Sequence, residues 1–183
     1  MRVDEDQLKA ITVGDLPPQY QQVIVADYDP EWPKWFERAA EAIRGALGDK
    51  ALELDHVGST SVPGLAAKPL IDINLVVADT TDEDAYVPSL EALGYVLRIR
   101  EPDWFEHRML RGSDPPVNLH VFNPGCEEVE RMRRLRDHLR TNDADRELYE
   151  RTKRELAAQE WKYVQHYADA KSAVVQEILS RVG

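Results

Sequence analysis

The chain of 183 residues contains a single cysteine, so it forms no disulfide of its own and no cysteine-based zinc cluster. Long apolar runs are also missing. The longest, such as residues 23–26 and 75–78, extend for about four residues, where a membrane-spanning helix needs ~20. Positive charge is scarce: 23 Lys and Arg stand against 34 Asp and Glu, for a net charge of −11. Gripping a nucleic-acid backbone requires a basic face, which this balance does not provide. The opening Met-Arg-Val-Asp-Glu-Asp lacks the apolar segment of a secretory signal. Together these absences predict a soluble cytoplasmic protein with no membrane and no nucleic-acid partner. The length suits one domain with a helical appendage, large enough to bury a core without a disulfide or structural metal.

The acid excess is localised. Residues 1–126 hold 11 basic and 22 acidic side chains, residues 127–156 nine of each, and residues 157–183 three of each. Pro124-Gly125 punctuates the change. This divides the chain into an N-terminal arm over 1–22, an α/β core over 23–125 and a helical part over 126–183 that packs on the core.

Residues 1–22 contain Pro17-Pro18 and no clear period, which fits an arm with one short helix. Residues 23–26 read as a short strand. Asp29-Pro30-Glu31 is a helix start, and Trp32, Trp35, Phe36, Ala39, Ala40, Ile43 and Leu47 form the apolar stripe of that helix, closed by Gly48. Strands are expected over 52–57, 70–77, 95–100, 107–111 and 117–122, with a helix over 82–93 ending at Gly94. The remainder reads as three helices: 127–140, one capped by Asp143, and 161–182.

The chemistry concentrates in one stretch. After the strand at 52–57 comes the turn Gly58-Ser59-Thr60-Ser61-Val62-Pro63-Gly64, whose backbone N–H groups and hydroxyls suit phosphate oxygens. Period two in the next strand puts Asp72 and Asn74 on one face. An acid there could reach a divalent cation resting on those phosphates. A half-buried carboxylate is costly unless paired or coordinated, which marks Asp72 as functional.

The run His56-Val-Gly-Ser-Thr-Ser-Val-Pro-Gly-Leu-Ala-Ala-Lys-Pro-Leu-Ile-Asp-Ile73 resembles the signature of the GrpB-like family of the nucleotidyltransferase superfamily. The resemblance continues through Asn118-Leu119-His120-Val121, the run from Leu135 to Arg140, Tyr149 to Lys153 and Tyr167 to Lys171, and covers roughly residues 22–181. It implies an α+β fold: a nucleotidyltransferase-like mixed β-sheet with helices on one side, followed by a C-terminal helical part. Some members of that family are fused to dephospho-coenzyme A kinase.

The superfamily pattern is a Gly-Ser turn, then Asp-apolar-acid on a strand, then a third acid on a later strand. Gly58, Ser59 and Asp72 match. Asn74 stands at the second acid position, and the later strand offers Asn118 and His120. Two-metal phosphoryl transfer must offset about four positive charges, and this set supplies one negative charge. Two functions follow as expectations. One is metal-assisted transfer of a nucleotidyl or phosphoryl group from a nucleoside triphosphate to a small acceptor. The other is a nucleotide- or coenzyme-binding module without turnover. In both, Asp72, Asn74 and His120 form the centre, and Asp72 and His120 would hold Mg²⁺ or another divalent metal. His56, Gly58, Ser59, Thr60, Lys68, His107, Arg136, Arg140, Tyr149, Lys153 and Lys171 would contact the anionic small-molecule ligand. Each has a plainer role available: turn hydroxyls bond their own backbone, strand histidines fill cores, and the arginines of 131–140 balance neighbouring acids.

Overall fold

The computed structural model describes residues 4–182. Five segments pair into one mixed sheet: β1 (Glu53–Val57), β2 (Ile71–Val76), β3 (Val96–Glu101), β4 (His107–Ser113) and β5 (Pro116–Phe122). Their spatial order is β1-β2-β5-β4-β3, with β2 and β5 parallel and every other pair antiparallel. The α+β mixed sheet expected from sequence is therefore present.

Side-chain alternation gives the sheet two different faces. Ile71, Ile73 and Leu75 of β2 and Val117, Leu119 and Val121 of β5 point to one side. There they form the main core with Ala39, Ile43 and Leu47 of α2 (Trp32–Leu47) and Leu90 of α3 (Val87–Glu91). The other face carries Asp72, Asn74, Asn118 and His120. Near its end Val76 and Phe122 pack on Val129 of α4 (Glu127–Thr141).

The C-terminal part continues with α5 (Asp143–Ala157), α6 (Val164–Ala170) and α7 (Ser172–Leu179). Its own core, built around Leu139, Tyr149, Val175 and Ile178, takes in Val62 and Leu65 from the loop after β1. The helices thus pack on the Gly-Ser segment, and the space left between them and the polar sheet face is a cleft.

Several local expectations are corrected. Residues 23–26 form no strand; Ala26 makes one isolated bridge to Ala67, and Val23 is buried against Trp161 and Tyr167. The expected helix over 82–93 divides into a single 3-10 turn, Glu83–Ala85, and α3. Pro88 explains the restart, since proline is tolerated only in the first turn of a helix. The expected helix over 161–182 begins at Val164 and breaks at Lys171. Asn142, not Asp143, caps α5, accepting from the Asp145 N–H at 2.9 Å. The arm contains α1 (Glu5–Ile11), closed by a capping box on Asp4, and Thr12 bridges Ile99 on the edge strand β3.

Candidate functional site

The backbone of Gly58 creates the site's first constraint. Its φ of 70° and ψ of −174° belong to a region open essentially to glycine alone. A Cβ there would also lie 2.5 Å from Asp72 Oδ2. The turn and the carboxylate therefore need each other: Asp72 occupies the space that glycine leaves. After Gly58 the chain makes one 3-10 turn, Ser59–Ser61.

Two arginines of α4 hold this turn. Arg140 donates twice to the Ser61 carbonyl, at 3.0 and 2.8 Å, and Arg136 donates to the His56 carbonyl at 3.1 Å. Arg136 also pairs with Asp137 at 2.7 Å. The anion clamp expected of these arginines is thus directed at protein carbonyls, and Arg140 does not line the cleft.

Register brings the polar strand residues together. Asp72 lies opposite Asn118, and Asn74 opposite His120. Asp72 Oδ1 accepts from Asn118 Nδ2 at 3.2 Å and faces His120 Nε2 at 3.5 Å. Burial alone would raise the Asp72 carboxyl. The nearby His120 imidazole, the charge of Lys171 and the hydrogen bond from Asn118 overcome this and hold it below the usual carboxylate range. His107 Nε2 lies 3.0 Å from His120 Nδ1, and His107 Nδ1 lies 2.7 Å from Glu101 Oε2. Burial lowers His107 to about 4.

The cleft encloses about 870 Å³. Gly58, Ser59, Thr60, Lys68, Asp72, His107, His120, Arg136, Tyr149, Lys153 and Lys171 all border it. Three of these are free to meet a ligand. The Ser59 hydroxyl has no side-chain hydrogen bond among the described residues, and neither Lys68 nor Lys171 forms an ion pair there. Burial and the charge of Arg111 lower Lys68, with Lys171 adding to the effect. Burial would also lower Lys171, but Tyr149, Tyr167 and Asp72 outweigh it and raise the ammonium, which lies 4.8 Å from the Tyr167 ring. The break between α6 and α7 falls at Lys171, so this side chain leaves the helical stripe for the cleft wall.

Other expected contacts have structural employment. His56 belongs to the opposite sheet face: its register partner is Ile73, and it stacks on Phe36 at 4.9 Å. Its Nε2 bonds Thr60 Oγ1 at 3.0 Å, and Thr60 donates onward to the Leu70 carbonyl. Burial lowers His56 to about 4. Lys153 is 2% exposed, donates to the Ala66 carbonyl and lies 4.8 Å from the Tyr149 ring. Asn74 is 1% exposed and does not border the cleft, and its amide has no hydrogen-bond partner among the described residues.

Three acids at the cleft, Glu101, Glu128 and Asp169, were missed from sequence. Glu101 reaches it as the register partner of His107 across the β3–β4 hairpin. Glu128 comes from the first turn of α4, paired with Arg131 at 2.8 Å and raised by burial. The hairpin signal for Glu101 was present in two strand patterns flanking one loop. Nothing in the sequence distinguished Glu128 from its acidic neighbours.

The donor set does not fit a two-ion centre. The first two acid positions hold Asp72 and Asn74, and the later strand offers Asn118 and His120. Among the described residues no three His, Cys, Asp or Glu side chains gather as a cation cage. Asp72 and His120 are two donors, and Oδ1 is already engaged by Asn118.

Comparison with known proteins places this geometry among relatives. The chain is 59% identical over 180 residues to a UPF0157 protein of Halalkalibacterium halodurans, covering 98% of this chain and 92% of that one. Its fold is similar to the crystal structure of the conserved protein GrpB from Enterococcus faecalis. That match has a TM-score of 0.70 at 29% identity and covers 86% of this chain and 98% of that one. A Cid1 poly(U) polymerase structure is a more distant likeness, with a TM-score of 0.47 at 12% identity over 71% of this chain and 45% of the other. The family model described as GrpB protein matches residues 22–181, and with that span the chain belongs to the GrpB protein family.

Proposed function

We propose that the cleft binds a small phosphate-bearing molecule, a nucleotide or a coenzyme, without a resident metal centre. One observation carries this reading. Ser59, Lys68 and Lys171 border the cleft without ion pairs among the described residues, beside strands β2 and β5 whose acid positions hold one carboxylate, Asp72, where three acids would serve metal-dependent transfer. A hydroxyl, two ammonium groups and the backbone of a Gly-Ser turn are donors, and phosphate oxygens are acceptors. The cavity is of the size that takes a nucleotide-sized ligand.

A second reading is transfer of a nucleotidyl or phosphoryl group to a small acceptor. The meeting of Asp72 and His120 at the cleft favours it, because a carboxylate and an imidazole together can manage a proton. Incubation with a nucleoside triphosphate and Mg²⁺, followed by product analysis, separates the two. The binding reading predicts intact nucleotide after many binding lifetimes. Release of pyrophosphate or a modified acceptor above background, lost in Asp72→Asn, would replace it with the transfer reading.

A further inference from the structure

The sheet floor of the cleft changes character from one side to the other. Register follows it strand by strand. Asp72 of β2 stands opposite Asn118 of β5, His120 of β5 opposite Met109 of β4, and Met109 opposite Ile99 of β3. Side chains in direct register share a face, so the polar residues of β2 and β5 give way to an apolar strip on β4 and β3. The bridge of Thr12 to Ile99 brings Ile11, the last residue of α1, alongside that strip. Ile11, Ile99, Met109 and Trp104 of the β3–β4 turn all border the cleft.

Trp104 is fixed in position. Its N–H donates to the Glu101 carbonyl at 3.2 Å, and its own carbonyl accepts from the His107 N–H at 3.1 Å. The next two residues, Phe105 and Glu106, take φ of 54° and 50°, a conformation that side chains adopt at a cost. The indole meets His107 and Phe122 edge to face, at 5.1 and 6.0 Å, yet Trp104 remains 39% exposed. A ring ordered by its backbone and by two other rings, and bordering a cavity, is a stacking surface ready for a planar partner.

Charge changes along the same direction. Lys68 and Lys171 lie at the Gly-Ser end, where both interact with Asp72. The β3 end carries the carboxylate of Glu101. A ligand with phosphate at one end is therefore drawn in with that end toward Ser59, and its uncharged end falls on the apolar strip. Three strand spacings, ~14 Å, separate β2 from β3, comparable to the reach of a nucleoside di- or triphosphate from terminal phosphate to base.

We propose that the β3–β4 end of the cleft is a base-binding shelf, on which Trp104, with Met109 and Ile99, receives the aromatic base of a nucleotide whose phosphates lie at the Gly-Ser turn. This rests on the phosphate reading above and narrows it from any phosphate-bearing molecule to one with a planar base. Every base has a π-face, so the shelf favours purines by stacking area and not by hydrogen-bond pattern.

Titration of the full-length protein with ADP, adenosine and pyrophosphate, each in excess EDTA, tests the two ends separately. Among the described residues Trp104 is the tryptophan that borders the cleft; Trp32 and Trp161 are buried, and Trp35 packs against the main core. ADP should quench Trp104 fluorescence, pyrophosphate should not, and Trp104→Leu should lose the quenching. By calorimetry, Trp104→Leu should bind ADP about tenfold more weakly and pyrophosphate as the wild type does, while Trp104→Phe keeps most of the ADP affinity. Unchanged pyrophosphate binding also shows that the variant is folded.

ADP that binds no tighter than pyrophosphate and leaves the fluorescence unchanged would overturn the shelf and leave the phosphate reading standing. So would a Trp104→Leu that binds ADP normally. Equal weakening of ADP and pyrophosphate in that variant would make Trp104 a structural residue and overturn the shelf as well. Adenosine that quenches Trp104 where pyrophosphate fails to bind would defeat the phosphate reading and leave the shelf. Binding of none of the three would defeat both.

Discussion

Gly58 and Asp72 form a unit, and substitution should show it. Gly58→Ala adds a Cβ into the Asp72 carboxylate and forces a conformation that costs about 1–3 kcal/mol by itself. A loss of about 2–4 kcal/mol in urea unfolding is expected with the steric conflict included. A loss below ~1 kcal/mol would mean that the turn relaxes freely. Asn74 makes the opposite prediction. Its buried amide lacks a partner, so Asn74→Leu should be neutral or stabilising by about 1 kcal/mol. A loss of more than ~1 kcal/mol, or loss of ligand binding, would return Asn74 to the site. Lys153 gives a pH signature. Burial and the charge of Lys171 lower its ammonium from 10.5 to about 7. Between those values the unfolded chain holds a proton that the native chain lacks, so stability rises with pH. Chemical denaturation of wild type relative to Lys153→Met should show this rise from pH 7 to 10.5, and a flat difference would contradict it. Of these residues, Asp72 was legible in sequence because a carboxylate in an apolar strand needs a reason. The burial of Lys153 was not, because only the packing of α5 on the loop after β1 creates it.

At the scale of elements, α4 works as a brace. The two hydrogen bonds from Arg140 and the one from Arg136 tie the helix to carbonyls of the turn and of β1. Arg140→Met should therefore cost about 1–2 kcal/mol of stability. Pyrophosphate affinity should fall by less than about tenfold, since 1.4 kcal/mol is one decade. A direct phosphate clamp would instead lose affinity by ~100-fold or more with stability unchanged, which calorimetry and denaturation would distinguish. Helix 127–140 and the five sheet strands were readable from period alone. The direction in which the arginines point was not, because a helical stripe shows which residues share a face and not what meets it. The same limit explains His56. Period two placed it on a strand, but the antiparallel register with β2 decided that it shares a face with Ile73 and stacks on Phe36. The break at Lys171 was also hidden. Apolar residues continue on both sides of it, so the apolar pattern shows no boundary there.

For the whole molecule, the charge balance has a spatial meaning. The acid excess of residues 1–126 spares the facing positions of β2 and β5, where Asp72 stands among two asparagines, and the helical part supplies Lys171 to the cleft. A cleft with this balance should hold an anion, and Asp72 should then act against the ligand's charge. A metal-dependent site predicts the reverse, because Asp72 would be its carboxylate. Isothermal titration of pyrophosphate in excess EDTA, into wild type and Asp72→Asn, tests this most directly. The account predicts binding without metal, equal or tighter in Asp72→Asn and weakened at least tenfold in Lys171→Ala. Binding that requires Mg²⁺ and disappears in Asp72→Asn would contradict it.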